Sequence, residues 1–409
     1  MGHPPLRFIS NKNQQFDVVV WDSTNSHLLV PSIGIFTYLT MDIKNYLYVC
    51  IERLPKALII LLISSLRLIK LFQRMSSSFD GLDKFRFLRS CVKMYLFLPI
   101  QLSGLLALRP TLVISFIDNS LTYQALDLVL SKKISFITVQ NGNRYHDKDL
   151  KKLAGFEHFS TPSSFHSCFC YLSPIDLDFY RKSGWTLKEH YHVGSLVAGY
   201  TQEKLQEHFD SGSSPLEIDV LVIANSTNSR LSQRKIAELL LNFKKSNPGL
   251  RITVAAKRQP RDDDYQNHIA DITALYGEGV EIVGNVEHNS FRLTLKARVV
   301  VGSYTTLLRE ALSVGIIVYP INFDSPALDA YFASSDLNPY PSQAEFDVIL
   351  NKMLTANGDS SKFFSNYFRN YVGCVPSGPS PRERLRAIIC TKIASRRAYV
   401  SSNFWGGAL

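Results

Sequence analysis

The residues with the clearest chemical potential lie in one segment, VVVGSYTTLLREALSVG at 299–315. An apolar run there is followed by a glycine, three hydroxyls and a carboxylate: Gly302, Ser303, Thr305, Thr306 and Glu310. The first backbone N–H groups of a helix are unpaired and lie at the positive end of its dipole. Hydroxyls add donors and glycine allows close approach, so the segment predicts a diphosphate-binding cradle. The plainer alternative is that Ser303 or Thr305 only caps the helix.

Two further polar segments follow apolar runs in the same half of the chain. Lys257 and Arg258 follow the run at 250–256, and two cations there could neutralise a diphosphate leaving group. A solvated basic turn is the alternative, because three aspartates follow at 262–264. The loop at 225–229 begins with Asn225 and offers amides and hydroxyls to phosphate or sugar, or caps the next helix. It contains no carboxylate, so it supplies no acidic nucleophile or base.

Polar residues also end two apolar runs in the first half, at 111–117 and 134–139. They combine a carboxylate, amides, an arginine and an imidazole: Asp118, Asn119, Gln140, Asn141, Gly142, Arg144 and His146. A transfer to a hydroxyl group requires a base that takes its proton, and Asp118 and His146 are the candidates. The other residues of the set are candidates for acceptor binding. Asp118 could instead cap the following helix, and Asn141 with Gly142 could form only a tight turn.

Short apolar runs alternate with helical patterns along the chain. Apolar runs at 16–21, 111–117, 134–139, 218–224, 250–256 and 297–301 predict buried strands, and a long helical region is expected up to about residue 109. This alternation predicts an α/β fold with parallel sheets, in which ligands bind beyond the carboxyl ends of strands. The small, polar segment at 210–215 divides the chain. We therefore expect two Rossmann-like domains facing a cleft, at 1–210 with a helical insertion and at 216–409 with a C-terminal crossover helix.

Composition narrows the class of partner. The 409 residues are 45% hydrophobic and carry a net charge of +10, which excludes a disordered polymer and favours anionic partners. The six cysteines are scattered, the histidines form no HExxH motif, and no Walker or GxGxxG motif occurs. No metal is expected, and the cysteines are interpreted as free thiols of a reducing compartment. The first 15 residues lack the apolar core of a signal peptide, so a cytoplasmic location is expected.

The region 42–109 is rich in basic residues and contains two uncharged apolar stretches, 57–66 and 94–108. Each is shorter than the roughly 18–20 residues that span a bilayer. Buried or interfacial helices are therefore expected. Basic amphipathic helices suit an anionic membrane surface, so peripheral contact at the inner face is a second expectation. The alternative is a solvated helix face.

Four motifs occur in an order that resembles the GT-B-fold sugar transferases of bacterial surface carbohydrate biosynthesis, which build capsule or O-antigen. They are VISFIDN ending at 119, VQNG at 139–142, VGS at 193–195 and GSYTTLLREAL at 302–312. The resemblance covers roughly 17–321. It implies a nucleotide-sugar donor, which is a substrate and not a cofactor, in the second domain, and a glycan or lipid-linked acceptor in the first. By position, Ser303, Thr305 and Thr306 would hold phosphate and Glu310 would meet the ribose.

The chain departs from the related retaining β-Kdo transferases at two places. Their HP-type motif is replaced by KRQP at 257–260, and the loop at 225–229 lacks their acidic residue. Both differences argue against CMP-Kdo as donor and against a covalent aspartate intermediate.

Glycosyl transfer is the leading hypothesis, and three alternatives stay open. A CDP-polyol phosphotransferase would use the same cradle. A nucleotide-sugar epimerase needs acids on both faces of a sugar carbon, and paired carboxylates are not evident in the second half. A non-catalytic nucleotide- or nucleic-acid-binding protein fits the charge. The aromatic-studded basic stripes of RNA-binding proteins are not evident, so nucleic acid is not an expected partner.

Overall fold

The computed structural model describes residues 6–9, 16–22, 26–42, 47–77, 81–116, 120–140, 142, 164–199, 217–224, 230–256, 265–277, 279–284, 289–303, 305–324, 331–333, 335–356, 359–375 and 377–405. The strands are β1 (Leu6–Phe8), β2 (Val18–Val20), β3 (Tyr38–Thr40), β4 (Leu47–Val49), β5 (Leu112–Ser115), β6 (Ser135–Val139), β7 (Phe165–Tyr171), β8 (Thr186–His192), β9 (Ile218–Ala224), β10 (Ile252–Ala256), β11 (Glu281–Val283), β12 (Ala297–Gly302) and β13 (Ile317–Pro320).

The helices are α1 (Ser26–Ile33), α2 (Leu54–Ser76), α3 (Gly81–Leu108), α4 (Leu121–Leu130), α5 (Pro174–Lys182), α6 (Arg230–Ser246), α7 (Tyr265–Tyr276), α8 (Asn289–Leu295), α9 (Thr306–Ser313), α10 (Gln343–Thr355), α11 (Asn366–Val372) and α12 (Pro381–Trp405). Short 3₁₀ helices lie at Ile51–Arg53 and Ser360–Lys362.

Two parallel sheets organise the chain. The first has six strands in the order β3-β2-β5-β6-β7-β8, and the second has five in the order β11-β10-β9-β12-β13. The central strands β2, β5, β9 and β12 are apolar and almost entirely buried, as parallel sheets covered by helices require, whereas the edge strands β3, β8 and β11 are partly exposed. In each sheet the strand order reverses once, between β2 and β5 and between β9 and β12. Crevices at such reversal points are where open α/β sheets bind ligands.

The last helix returns to the first sheet. In α12, Leu385, Ile389 and Ile393 are buried in one core cluster with β2, β5 and β6 residues such as Val20 and Ile114. These three positions recur at helical spacing, so one face of α12 covers the sheet. The two halves of the chain are therefore joined by a crossover helix as well as by their facing surfaces.

The region before residue 109 departs from the prediction in one respect. The sequence predicted a long helical region there, but β3 and β4 lie within it, and β4 pairs with β1 in a separate two-stranded parallel sheet. Strands of three residues are too short to show an alternating pattern. The helical part forms two long helices, α2 and α3, linked by the hydrogen bond of 2.7 Å between Ser65 Oγ and the Tyr95 hydroxyl.

Helices α2 and α3 are longer than the uncharged stretches 57–66 and 94–108, and the basic residues that extend them, such as Arg67, Lys70 and Lys93, are exposed. Within the described part of the chain, one segment, Lys84–Leu108, is long and apolar enough to cross a membrane by length and composition alone. Of the most apolar 18-residue window in this segment, 61% is buried inside the protein.

Candidate functional site

The predicted cradle lies at the reversal point of the second sheet. Strand β12 ends at Gly302, beside β9, and α9 begins at Thr306. Thr305 is the N-cap, with extended backbone, and its Oγ1 accepts a hydrogen bond of 3.3 Å from the Leu307 N–H. The capping role offered as the alternative is therefore real for Thr305. The Thr305 carbonyl also accepts the Leu308 N–H at 3.3 Å, so an anion at this end of α9 would meet the positive end of the helix dipole and the threonine hydroxyls.

The other cradle residues differ in accessibility. Thr305 and Thr306 are partly exposed, whereas Ser303 is buried. An anion arriving from outside would therefore meet the two threonines first. Phosphate binding by Gly302, Ser303, Thr305 and Thr306 stays a prediction.

The first sheet meets the cradle from the opposite side. Gly142, which follows β6, has a φ of +139°, and a Cβ atom added to it would lie 3.3 Å from Thr306 Oγ1. Because both β6 and β12 deliver their carboxyl ends to this point, the structure brings together two segments that the sequence assigned to the acceptor and donor sides. Glycine permits both the backbone angle and the close approach.

Gln140 holds this glycine in place. Its Nε2 donates to the Gly142 carbonyl at 2.8 Å and to Asp176 Oδ1 at 2.9 Å, and its Oε1 accepts from the Leu172 N–H at 2.9 Å. The side chain is buried, and both ends of its amide are hydrogen-bonded. The observed contacts assign Gln140 the task of shaping the loop, and its predicted contact with an acceptor stays a prediction.

A buried ion pair, which the sequence did not indicate, connects the two halves directly behind the cradle. Arg309 of α9 contacts Asp176 of α5 with two hydrogen bonds, Nη2–Oδ2 at 2.5 Å and Nη1–Oδ1 at 3.2 Å. The two side chains are 0% and 1% exposed. The sequence signal that could have found it is the charged pair Arg309 and Glu310 among the apolar buried residues of α9.

The remaining polar atoms of the pair also have partners. Arg309 donates from Nε to the Val372 carbonyl at 2.9 Å and from Nη2 to Ser173 Oγ at 2.5 Å. Tyr331 donates its hydroxyl to Asp176 Oδ1 at 3.1 Å, and its ring lies 4.1 Å from the guanidinium carbon. Such saturation is what allows two charges to be buried together.

Electrostatics favour the charged form of this pair. Burial by itself would raise the pKa of Asp176, but the charge and hydrogen bonds of Arg309 hold that pKa below its ordinary value. Burial would lower the pKa of Arg309, and the Asp176 carboxylate instead raises it well above the ordinary value. The pair therefore stays ionised and acts as a structural latch.

Glu310 takes part in a second contact between the halves. Its Oε1 accepts a hydrogen bond of 2.6 Å from Ser195 Oγ, and the Ser195 N–H donates to the Cys374 carbonyl at 2.5 Å. Burial raises the pKa of Glu310, and the Ser195 hydrogen bond and the Arg309 charge only partly offset this. The carboxylate is only 8% exposed. Its predicted contact with a ribose stays a prediction.

The other candidates lie outside the described residues: Asp118, Asn119, Asn141, Arg144, His146, Asn225, Lys257 and Arg258. In the sequence, each of them comes after the end of one of four strands: β5, β6, β9 or β10. Across the described ranges, His, Cys, Asp and Glu form no group of three or more that could hold a metal ion.

Comparisons with known proteins bear on the fold. No family model matches the chain, and no curated protein does. The UDP-GlcNAc 2-epimerase from Neisseria meningitidis, solved bound to UDP-GlcNAc, is 12% identical with a TM-score of 0.52, over 96% of this chain and 100% of that one. The enzyme from Methanocaldococcus jannaschii is 14% identical with a TM-score of 0.52, over 95% and 99%. A putative 2-epimerase from Listeria monocytogenes is 9% identical with a TM-score of 0.51, over 94% and 97%.

These likenesses extend over nearly the whole of each chain. They confirm the predicted fold class, an α/β protein of GT-B type with two Rossmann-like domains. At such low identity they establish the fold alone.

Proposed function

We propose that the protein is a nucleotide-sugar-dependent enzyme, and specifically a glycosyltransferase that moves a sugar to a surface-polysaccharide or lipid-linked glycan acceptor. One observation carries the proposal. The start of α9, at the reversal point of the second sheet, faces the carboxyl end of β6 in the first sheet, where Gly142 and Thr306 approach so closely that a Cβ on Gly142 would lie 3.3 Å from Thr306 Oγ1. A donor phosphate and an acceptor could therefore be held against each other.

In this proposal the leaving diphosphate lies against the first turn of α9. The positive end of the α9 dipole would stabilise the charge that develops as the sugar leaves. Thr305 and Thr306 would orient the phosphates, with Lys257, Arg258 and Asn225 completing the site. Asp118 or His146 would take the proton of the acceptor hydroxyl, and Asn119, Asn141 and Arg144 would position the acceptor.

Full-length likeness to UDP-GlcNAc 2-epimerases favours a second candidate, epimerisation of a nucleotide sugar. That reaction needs acid and base groups on both faces of one sugar carbon. The two carboxylates described next to the cradle are already engaged, Asp176 by Arg309 and Glu310 by Ser195. Transfer requires only one base, so this arrangement favours transfer over epimerisation.

A product assay separates the candidates. The purified protein is incubated with UDP-, GDP- and CDP-sugars and with a CDP-polyol, and products are resolved by ion-exchange chromatography and NMR. Glycosyl transfer, or its slow hydrolytic counterpart, releases the nucleoside diphosphate. Phosphotransfer from a CDP-polyol releases CMP, and an epimerase converts the sugar while the nucleotide stays attached. Conversion to an epimer without nucleotide release would overturn the transferase proposal.

A binding assay tests the cradle itself. We expect the matching nucleotide to raise the melting temperature. At a hundredfold excess over Kd, it should add about 2.7 kcal/mol to the free energy of unfolding. Thr306→Val should weaken binding because a donor near the phosphate is lost, and Thr306→Ser is the matched control that keeps the hydroxyl. Equal affinity in both variants would remove the phosphate assignment.

A further inference from the structure

The strongest unassigned feature is the outer face of the α2–α3 pair. Helix α2 is apolar on two sides. One stripe, containing Ala57, Leu61, Leu68 and Met75, is buried in the core. The opposite side exposes six large apolar residues: Leu58, Ile59, Leu62, Ile63, Leu66 and Ile69. From 57 to 66 the exposed positions of α2 are all apolar.

Helix α3 continues this surface. Phe85, Leu88, Val92 and Leu96 recur at i, i+3, i+7 and i+11, which places them on one exposed stripe. The Ser65–Tyr95 hydrogen bond holds α3 alongside α2, so the two apolar stripes belong to neighbouring helices. We call these ten residues the hairpin face. Exposed apolar surface of this extent marks an interaction site.

Basic residues predominate around the hairpin face. From Leu54 to Ser76 the charged residues are Lys56, Arg67, Lys70 and Arg74, and from 84 to 108 they are Lys84, Arg86, Arg89 and Lys93. Neither segment contains an acidic residue; one aspartate, Asp83, precedes the second segment in the first turn of α3. On α3 the exposed basic residues form a stripe beside the apolar one. Clusters of lysine and arginine next to an apolar helix face match the headgroups of acidic lipids.

A cationic cavity lies at the end of the pair where α2 begins. It has a volume of about 870 Å³, and its lining includes six basic residues and one acid: Arg53, Lys56, Arg109, Lys133, Arg396, Arg397 and Asp17. Lys56 lies three and seven residues before Ile59 and Ile63, so the cavity and the hairpin face adjoin on α2. The cavity opens at the amino ends of β2, β5 and β6, away from the cradle, so it is separate from the proposed nucleotide site.

From these observations we infer that the hairpin face seats the protein on an anionic phospholipid bilayer. The apolar side chains enter the boundary between headgroups and acyl chains, and the flanking cations contact lipid phosphates. The helices lie in the surface and do not cross it, because Leu98, Leu102 and Leu105 on the inner side of α3 are fully buried in the core. The inference does not depend on which reaction the enzyme performs.

The test is co-sedimentation of the full chain with vesicles. Vesicles of phosphatidylcholine and phosphatidylglycerol in equal amounts are compared with vesicles of phosphatidylcholine alone. We expect binding to the anionic vesicles and its loss at high salt, since a Debye length of about 10 Å at 0.1 M shrinks to about 3 Å at 1 M. Equal binding to both vesicles, or none to either, would overturn the inference.

Two sets of variants locate the surface. Leu62→Gln with Ile63→Gln changes side chains that are 75% and 76% exposed, so folding should be unaffected, and binding should fall by about a hundredfold. Leu231→Gln with Val348→Gln, at exposed positions of α6 and α10, is the matched control and should bind as the wild type does.

The charge set is Lys70→Gln, Arg89→Gln and Lys93→Gln, for which we expect a loss of about fivefold per charge. Its control is Arg234→Gln, Lys245→Gln and Lys352→Gln, exposed basic residues of the other half. Equal losses in test and control sets would overturn the inference. Sedimentation as a dimer through the hairpin face, without vesicle binding, would replace the inference with self-association. Retention on membranes after alkaline carbonate washing would replace it with a helix that spans the membrane.

Discussion

Breaking the buried latch between the halves is the sharpest test of the architecture. Asp176→Asn keeps the shape of the side chain but removes its charge, so the buried Arg309 guanidinium loses the carboxylate to which it is hydrogen-bonded. Asp176 also accepts from Gln140, Ser173 and Tyr331, and one amide oxygen cannot serve all of these donors. Removing one partner of a buried pair costs about 3–5 kcal/mol.

The expected result is a fall in melting temperature of about 10 °C. One kcal/mol shifts the midpoint by about 2–4 °C in a unit of about 150–250 residues, which is the size of one half of this chain. Differential scanning calorimetry measures the shift. The control breaks an exposed pair instead: Lys235→Gln removes the contact with Glu238, where the side chains are 43% and 58% exposed, and should change the midpoint little.

A double variant separates charge burial from packing. Asp176→Leu with Arg309→Met replaces the pair by apolar side chains, and stability should largely return because neither charge of the pair remains buried. The pH dependence gives an independent check. Because the folded-state pKa of Asp176 lies below its unfolded value, the wild type loses this contribution as pH falls below about 4, whereas Asp176→Asn has no such contribution to lose. A melting temperature within about 1 °C of wild type for Asp176→Asn at neutral pH would refute the latch.

Three further outcomes are expected. Glu310→Gln should leave the free energy of unfolding at pH 7 equal or higher. The pKa of this carboxyl is raised in the folded protein, so wild-type stability falls as pH rises from about 4.3 through the folded-state pKa. Urea titrations at several pH values measure this dependence. Gly142→Ala should impair nucleotide-sugar turnover, because its φ of +139° and the 3.3 Å approach to the cradle both resist a methyl group, whereas Gly249→Ala, with open space around it, should turn over normally. Gly104→Ala should destabilise the protein despite the better helix propensity of alanine, because the new Cβ would lie 2.8 Å from the Tyr48 carbonyl oxygen; a higher melting temperature would contradict this packing.

Much of the architecture could be predicted from local pattern. Buried strands of both sheets show as apolar runs, because a parallel sheet covered on both faces needs apolar residues throughout. The helix start at Thr305 and Thr306 also shows locally, since N-cap chemistry involves only neighbouring residues. The strands that the sequence pattern did not predict before residue 109 are short: β3 and β4 have three residues each, too few to show an alternating pattern.

The contacts that join the halves were decided by the tertiary structure alone. Arg309 and Asp176 are 133 residues apart, and Glu310 and Ser195 are 115 apart. The position of a charged residue in a helix predicts which face of that helix it lies on. It does not predict which distant residue it will contact. Likewise, composition marked α2 and α3 as basic and apolar, but only packing determined which apolar stripe is buried and which stays exposed. Local sequence determines the elements because propensities and caps act over a few residues, whereas pairing depends on how those elements come together in space.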